Sequence, residues 1–100
     1  MASFHNHFVY FMTNKHKNVL YIGVTNNLSR RVNEHASGLN KKSFTSRYNC
    51  YYLVYYESFT NIVDAIAREK QIKKYRREKK DALVSAINSN WDFLNDTIME

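Results

Sequence analysis

Two short runs of aromatic and β-branched residues, Phe8–Thr13 and Val19–Val24, stand five polar residues apart, and that spacing commits the chain to a β-hairpin. The polar residues between them, 14–18, form the turn. A four-residue loop pairing Thr13 with Asn18 places Tyr10 opposite Tyr21, whereas a five-residue loop puts the two tyrosines on opposite faces. The sequence does not choose between these registers. Gly23 is the one glycine in a strand pattern, which signals close approach of another group to the backbone.

Beyond the hairpin, Thr25, Asn26 and Asn27 are good N-cap residues, and Leu28 to Ser37 has helical spacing that Gly38 stops. Residues 40–49 read as a polar loop and Tyr51–Glu57 as a third strand. A helix follows over Asn61–Arg76 and another over Glu78–Ile87. Trp91, Phe93, Leu94 and Ile98 predict a C-terminal segment packed back on the body. The order ββαβαα implies one α+β domain over residues 1–100, with a core from about 8 to 91. Its sheet is three-stranded, mainly antiparallel and flanked by helices.

A net charge of +6 and a pI near 9.5 favour a polyanionic partner, either nucleic acid or an anionic membrane surface. Cys50 is the single cysteine and makes no internal disulfide. No signal peptide and no apolar run approaching a membrane span is visible, so a reducing cytoplasm is the expected compartment. A zinc site is not expected: His5 and His7 stand at the N-terminus, and Cys50 has no partner motif.

Helical geometry supplies the sharper signal. In the first helix Leu28 and Val32 mark the buried stripe, and Arg31 and His35 fall on it. In the second long helix Ile62, Ala65, Ile66 and Ile72 mark the buried face, with Glu69 at its centre. An Arg, a His and a Glu are each costly to bury alone. Three of them on core-facing stripes of one small domain point to a shared polar site between helices and sheet, although a buried Arg–Glu pair would satisfy the same pattern.

The residues Phe8-Val9-Tyr10, a ten-residue interval, and Tyr21-Ile22-Gly23 resemble the paired motifs of the GIY-YIG nucleases. The likeness continues through Arg31, His35, Glu69 and the helix Ala65-Ile66-Ala67-Arg68-Glu69-Lys70-Gln71-Ile72-Lys73-Lys74. It is greatest to the short single-domain bacterial members. The first motif is FVY rather than GIY, and Val24 stands where some members carry lysine. The family's late asparagine is matched by Asn88, with Asn90 as rival.

The resemblance implies a metal-dependent DNA endonuclease, linked to DNA repair or recombination, with Tyr10, Tyr21, Arg31, His35, Glu69 and Asn88 in its active site. Glu69 would hold one Mg²⁺ or Mn²⁺ ion, weakly without DNA because a single carboxylate anchors it. Tyr21 would act as general base or position the water, with Tyr10 beside it. Arg31 would meet charge at the phosphorus. Lys70, Lys73, Lys74 and Arg77 on the helices, and Lys41, Lys42 and Arg47 in the loop, form candidate DNA-binding surfaces, Phe44 among them offering a ring for base stacking. No small-molecule cofactor is implied, and a partner protein would supply any sequence specificity. The alternative is a nucleic-acid-binding module of this fold without turnover.

Overall fold

The computed structural model describes residues 7–38 and 43–98. Strands β1 (His7–Thr13), β2 (Leu20–Thr25) and β3 (Tyr52–Phe59) form one sheet in the order β2-β1-β3, with both pairings antiparallel. Helices α1 (Leu28–Ser37), α2 (Phe44–Arg47), α3 (Ile62–Lys73) and α4 (Arg77–Ile87) flank it, and a short 3₁₀ turn covers Asp96–Ile98. The α+β class and the three-stranded antiparallel sheet are thus as the sequence implies.

β1 is buried without a break from Val9 to Thr13 because it is the central strand, covered on both faces. Its alternate residues feed two separate cores. Val9 and Phe11 join Ile22 with Ala65 and Ile72 of α3 and Val84 of α4. Tyr10 and Met12 join Leu28 and Val32 of α1 with Cys50 and Leu53, and Leu94 and Ile98 pack against them. So α3 and α4 cover one face of the sheet, while α1 and the C-terminal segment cover the other. The C-terminal segment also shields the start of β3. Leu94 N–H donates to the Leu53 carbonyl at 2.7 Å, and the Asn95 amide bonds Leu53 N–H and the Tyr51 carbonyl at 2.8 and 2.9 Å.

The hairpin takes neither expected register. Thr13 pairs with Leu20, so the loop has six residues, 14–19. The Asn14 side-chain oxygen accepts from Asn18 N–H at 3.0 Å and from Val19 N–H at 3.2 Å, which draws Val19 out of the ladder and into the turn. A shift of two residues preserves the face, so Tyr10 and Tyr21 remain on one side. Tyr10 now lies opposite Gly23, and Tyr21 opposite Met12.

Two helical expectations change. The loop over 40–49 contains α2, a single turn capped by Ser43 and too short to show periodicity. α3 is rolled by about 45° from the predicted stripe. Ala65 and Ile72 are buried on it, but Ile62 and Ile66 are exposed and Glu69 lies on the shoulder. The roll has a visible cause: Arg68, on the other shoulder, reaches β3 and donates to both Glu57 carboxylate oxygens at 2.9 and 3.0 Å.

Candidate active site

The site begins with a missing side chain. A Cβ on Gly23 would stand 2.5 Å from Tyr10 Oη and 2.6 Å from Cζ, so the Tyr10 ring occupies the space that any other residue at 23 would need. Only glycine lets the phenol lie flat across β2. The ring is 1% exposed, and its hydroxyl meets His35 Nε2 at 2.8 Å.

His35 faces inward because α1 is firmly registered. Asn27 caps it by accepting from Arg30 N–H at 3.1 Å, and Gly38, at φ 66°, ends it. On the other side of the imidazole, Nδ1 meets Thr45 Oγ1 at 2.8 Å, and Thr45 Oγ1 lies 3.1 Å from Ser43 Oγ. Burial, reinforced by the positive charge of Arg31 and opposed by Glu34, draws His35 from 6.5 down to about 4. The imidazole is therefore neutral at pH 7 and carries one N–H. A consistent pattern has Tyr10 donating to Nε2 and Nδ1–H donating to Thr45.

Burial raises Tyr10 well above the usual phenol range, with the Arg31 guanidinium beside it opposing and Tyr21 adding to the rise. Tyr10 keeps its proton at neutral pH and serves as a fixed hydrogen-bonding group. Arg31, held against Tyr10 and bonded to Glu34 Oε1 at 3.1 Å, is raised above its ordinary value and remains a full cation. Tyr21 completes the cluster with its ring centroid 6.1 Å from Tyr10 and 5.4 Å from His35. Four candidates from three elements, Tyr10, Tyr21, Arg31 and His35, thus converge on one face of the sheet.

A model of the GIY-YIG catalytic domain matches residues 6–81. The chain belongs to the GIY-YIG family. It is similar to a UPF0213 protein of Haloquadratum walsbyi, 39% identical over 77 residues, covering 77% of this chain and 84% of that one. A UPF0213 protein of Clostridium perfringens is 39% identical over 79 residues, 79% of this chain and 83% of that one. The solution NMR structure of a UPF0213 protein from Bacillus halodurans superposes with a TM-score of 0.55 at 29% identity, covering 92% of this chain and 93% of that one.

The remaining GIY-YIG candidates come from α3 and the end of α4. Glu69 belongs to α3, which packs on the opposite face of the sheet from Tyr10. Its side chain is 15% exposed and its Oε2 lies 3.4 Å from Lys73 Nζ. Among the described residues no group of three or more His, Cys, Asp or Glu side chains could hold a metal ion. The donor chemistry of Glu69 still suits a hard cation that takes one protein carboxylate and fills its shell with water and phosphate oxygens.

Asn88 is engaged in the fold. It caps the end of α4, and its amide donates to the carbonyls of Val54 at 2.9 Å and Asp92 at 3.0 Å while its oxygen accepts from Asp92 N–H at 3.0 Å. Val54 is the residue left unpaired by the register shift between β1 and β3, and its buried carbonyl needs that donor. Asn88 thus has both amide hydrogens committed to backbone carbonyls. Its rival Asn90 is exposed.

The basic candidates divide likewise. Lys70 and Lys74 are exposed, and Lys73 is paired with Glu69. Arg77 is taken up structurally: it bonds Asp81 at 2.7 Å and donates to the carbonyls of Asn18 and Lys17 at 2.9 and 3.2 Å, tying α4 to the hairpin loop. Lys41 and Lys42 lie outside the described residues. Arg47 is exposed on α2, its guanidinium 6.0 Å from the Tyr48 ring.

Two contributors escaped the sequence reading. Thr45 orients His35, and nothing about a threonine in a polar stretch signals that role until α2 is seen. Tyr48 extends an aromatic ladder outward from the site: Tyr21 to Phe44 at 5.8 Å and Phe44 to Tyr48 at 4.6 Å, with both outer rings nearly half exposed.

Proposed function

We propose that this chain is a divalent-metal-dependent endonuclease that hydrolyses phosphodiester bonds in DNA, in the service of repair or recombination. The observation that carries the reading is the Tyr10–His35–Arg31–Tyr21 cluster packed over Gly23: a permanently charged guanidinium fixed beside two phenols and a neutral imidazole. Phosphodiester hydrolysis needs positive charge where the non-bridging phosphate oxygens gain negative charge, and a positioned water whose oxygen bonds to phosphorus as the ester oxygen leaves with a proton. Arg31 meets the first need, with a fork that matches phosphate oxygens. Tyr21, less enclosed than Tyr10, positions the attacking water. Tyr10 and His35 hold Arg31 and Tyr21 in place, and Thr45 fixes the imidazole. Glu69 would hold one Mg²⁺ or Mn²⁺ ion, which when bound supplies Lewis-acid polarisation of the phosphate from the α3 side of the edge strand β2, around which Ile62 of α3 and Arg31 of α1 line one cavity. Lys70, Lys73 and Lys74 give salt-sensitive contact to the backbone, and Phe44 with Tyr48 offers stacking faces for exposed bases.

The placement of Glu69 on the α3 face, paired with Lys73, favours a second reading: a nucleic-acid-binding module without turnover. One experiment separates them. The protein is incubated with plain, nicked and branched duplex DNA and single strands, in Mg²⁺ or Mn²⁺, alongside Tyr21→Phe, Arg31→Ala and Glu69→Gln. The nuclease reading expects cleavage that each variant lowers by about 10²-fold or more. It also expects Glu69→Gln to leave metal-free stability within about 0.5 kcal/mol. Binding without cleavage by the wild type in any metal establishes the second reading instead. Cleavage undiminished by Glu69→Gln removes the metal assignment.

A further inference from the structure

Beside Arg31, at the end of the sheet away from the hairpin loop, lies an open cavity of about 450 Å³. Its volume falls within the range of ligand-sized clefts, about 300–1,000 Å³. The start of β1 contributes His7, the end of β2 and the following turn contribute Val24 and Asn26, α1 contributes Arg30 and Arg31, and the start of α3 contributes Ile62. Its charge is unbalanced. Glu34 bonds Arg31 at 3.1 Å but stands 4.0 Å from Arg30, whose side chain is 63% exposed. Two guanidinium groups therefore share one carboxylate. His7 also lines it, and its Nδ1 is buried with no hydrogen-bond partner among the described residues.

We infer that this cavity is a second phosphate subsite, in which Arg30 binds the nucleic-acid phosphate next to the one served by Arg31. The proposal rests on the nuclease reading for its frame and adds a residue that fixes the strand across the site. The physical case is continuity. Arg31 lines the cavity and also lies against Tyr10, so a strand whose phosphate meets Arg31 must pass the cavity mouth. Arg30 is the next residue on the same helix, lightly held by Glu34, with a fork suited to phosphate oxygens. The apolar walls from Val24 and Ile62 suit the sugar between two phosphates. Arg30 is thus a binding and orienting residue rather than a catalytic one.

The test measures binding of a short fluorescent single strand to the full chain without divalent metal, so that nothing is cut. Arg30→Gln is compared with Lys15→Gln, which removes the same charge from the exposed hairpin loop at the far end. Each phosphate of the strand is replaced in turn by a neutral methylphosphonate. Arg30→Gln should weaken binding about tenfold, and its salt dependence should fall by about one counterion. One methylphosphonate position should weaken the wild type by a similar factor and have no effect on Arg30→Gln. Equal losses for Arg30→Gln and Lys15→Gln, or a scan that is the same in wild type and Arg30→Gln, overturn the subsite. Mapping the cut made by the wild type in Mn²⁺ then checks adjacency, and a cut at a distant bond also overturns it. A wild type that binds but never cuts defeats the nuclease reading alone, because the scan still decides whether Arg30 holds a phosphate.

Discussion

Helices α1 and α3 cover opposite faces of one three-stranded sheet, each carries polar residues among apolar ones, and the two faces accommodate them by different physics. On the α1 face the buried polar groups are neutral: Tyr10 keeps its proton, His35 carries no charge, and a chain of hydrogen bonds runs through them to Thr45. On the α3 face the groups are charged and matched, with Arg68 bonded to both oxygens of Glu57 and Glu69 drawn toward Lys73. Although burial pushes the Glu57 carboxyl up, hydrogen bonds from Arg68 and Tyr55 bring it below the usual range. A neutral network tolerates full enclosure, whereas ion pairs stay near the rim, where water shares the cost of desolvation.

The largest expected effect tests whether the neutral face is as tightly packed as its geometry implies. Gly23→Val forces a branched side chain into the Tyr10 ring. The phenol must leave His35, at a stability loss of about 3 kcal/mol in denaturant titration. Cleavage should fall by about 10²-fold or more at temperatures where the variant remains folded. A variant that retains both stability and activity would mean that the Tyr10 position is adjustable, and the contrast between the faces would weaken.

The same contrast explains what the sequence disclosed. Of the stripe predicted on α1, Leu28, Val32 and His35 are buried, because Asn27 and Gly38 cap both ends and fix the helix in register, while the Arg31 side chain stays 43% exposed at its edge. On α3 the buried stripe is Ala65 and Ile72 rather than the one centred on Glu69, because Arg68 and Glu57 pair across α3 and β3 and roll the helix. A long-range ion pair leaves no trace in helical periodicity. The hairpin shows a related limit. Apolar alternation identifies β1 and β2, but the pairing is set by the Asn14 side chain closing a six-residue loop. Gly23 in a strand pattern signals close approach, and the group that approaches is Tyr10. An asparagine capping a helix and one facing a substrate look alike in sequence, so the bond from Asn88 to the Val54 carbonyl is not legible there.

Asn88→Ala gives the next largest effect and separates structure from chemistry. It leaves the Val54 carbonyl without its donor and should cost about 2 kcal/mol. At a temperature where the variant is folded, kcat should stay within about twofold of the wild type, because both amide hydrogens are spent on the carbonyls of Val54 and Asp92. A large fall in kcat with unchanged stability would return Asn88 to the active site.

The smallest effect distinguishes the two faces by pH. His35 is lowered from 6.5 to about 4, so the unfolded chain takes up its proton more readily than the folded protein. Its contribution is complete above the unfolded value, declines as pH falls below about 6.5, and levels off only near 4. Glu57 has the other ordering: its folded value is below 4.5, so its contribution persists until pH falls below the ordinary carboxylate value. Between about pH 7 and about pH 5.5 the Glu57–Arg68 pair is therefore silent and His35 titrates, with an expected loss of about 1 kcal/mol. Denaturant titrations across that interval should show the slope in the wild type and lose it in His35→Gln, which cannot take up a proton. A slope that survives in His35→Gln would place the titrating group elsewhere and end the claim that His35 is held neutral between Tyr10 and Thr45.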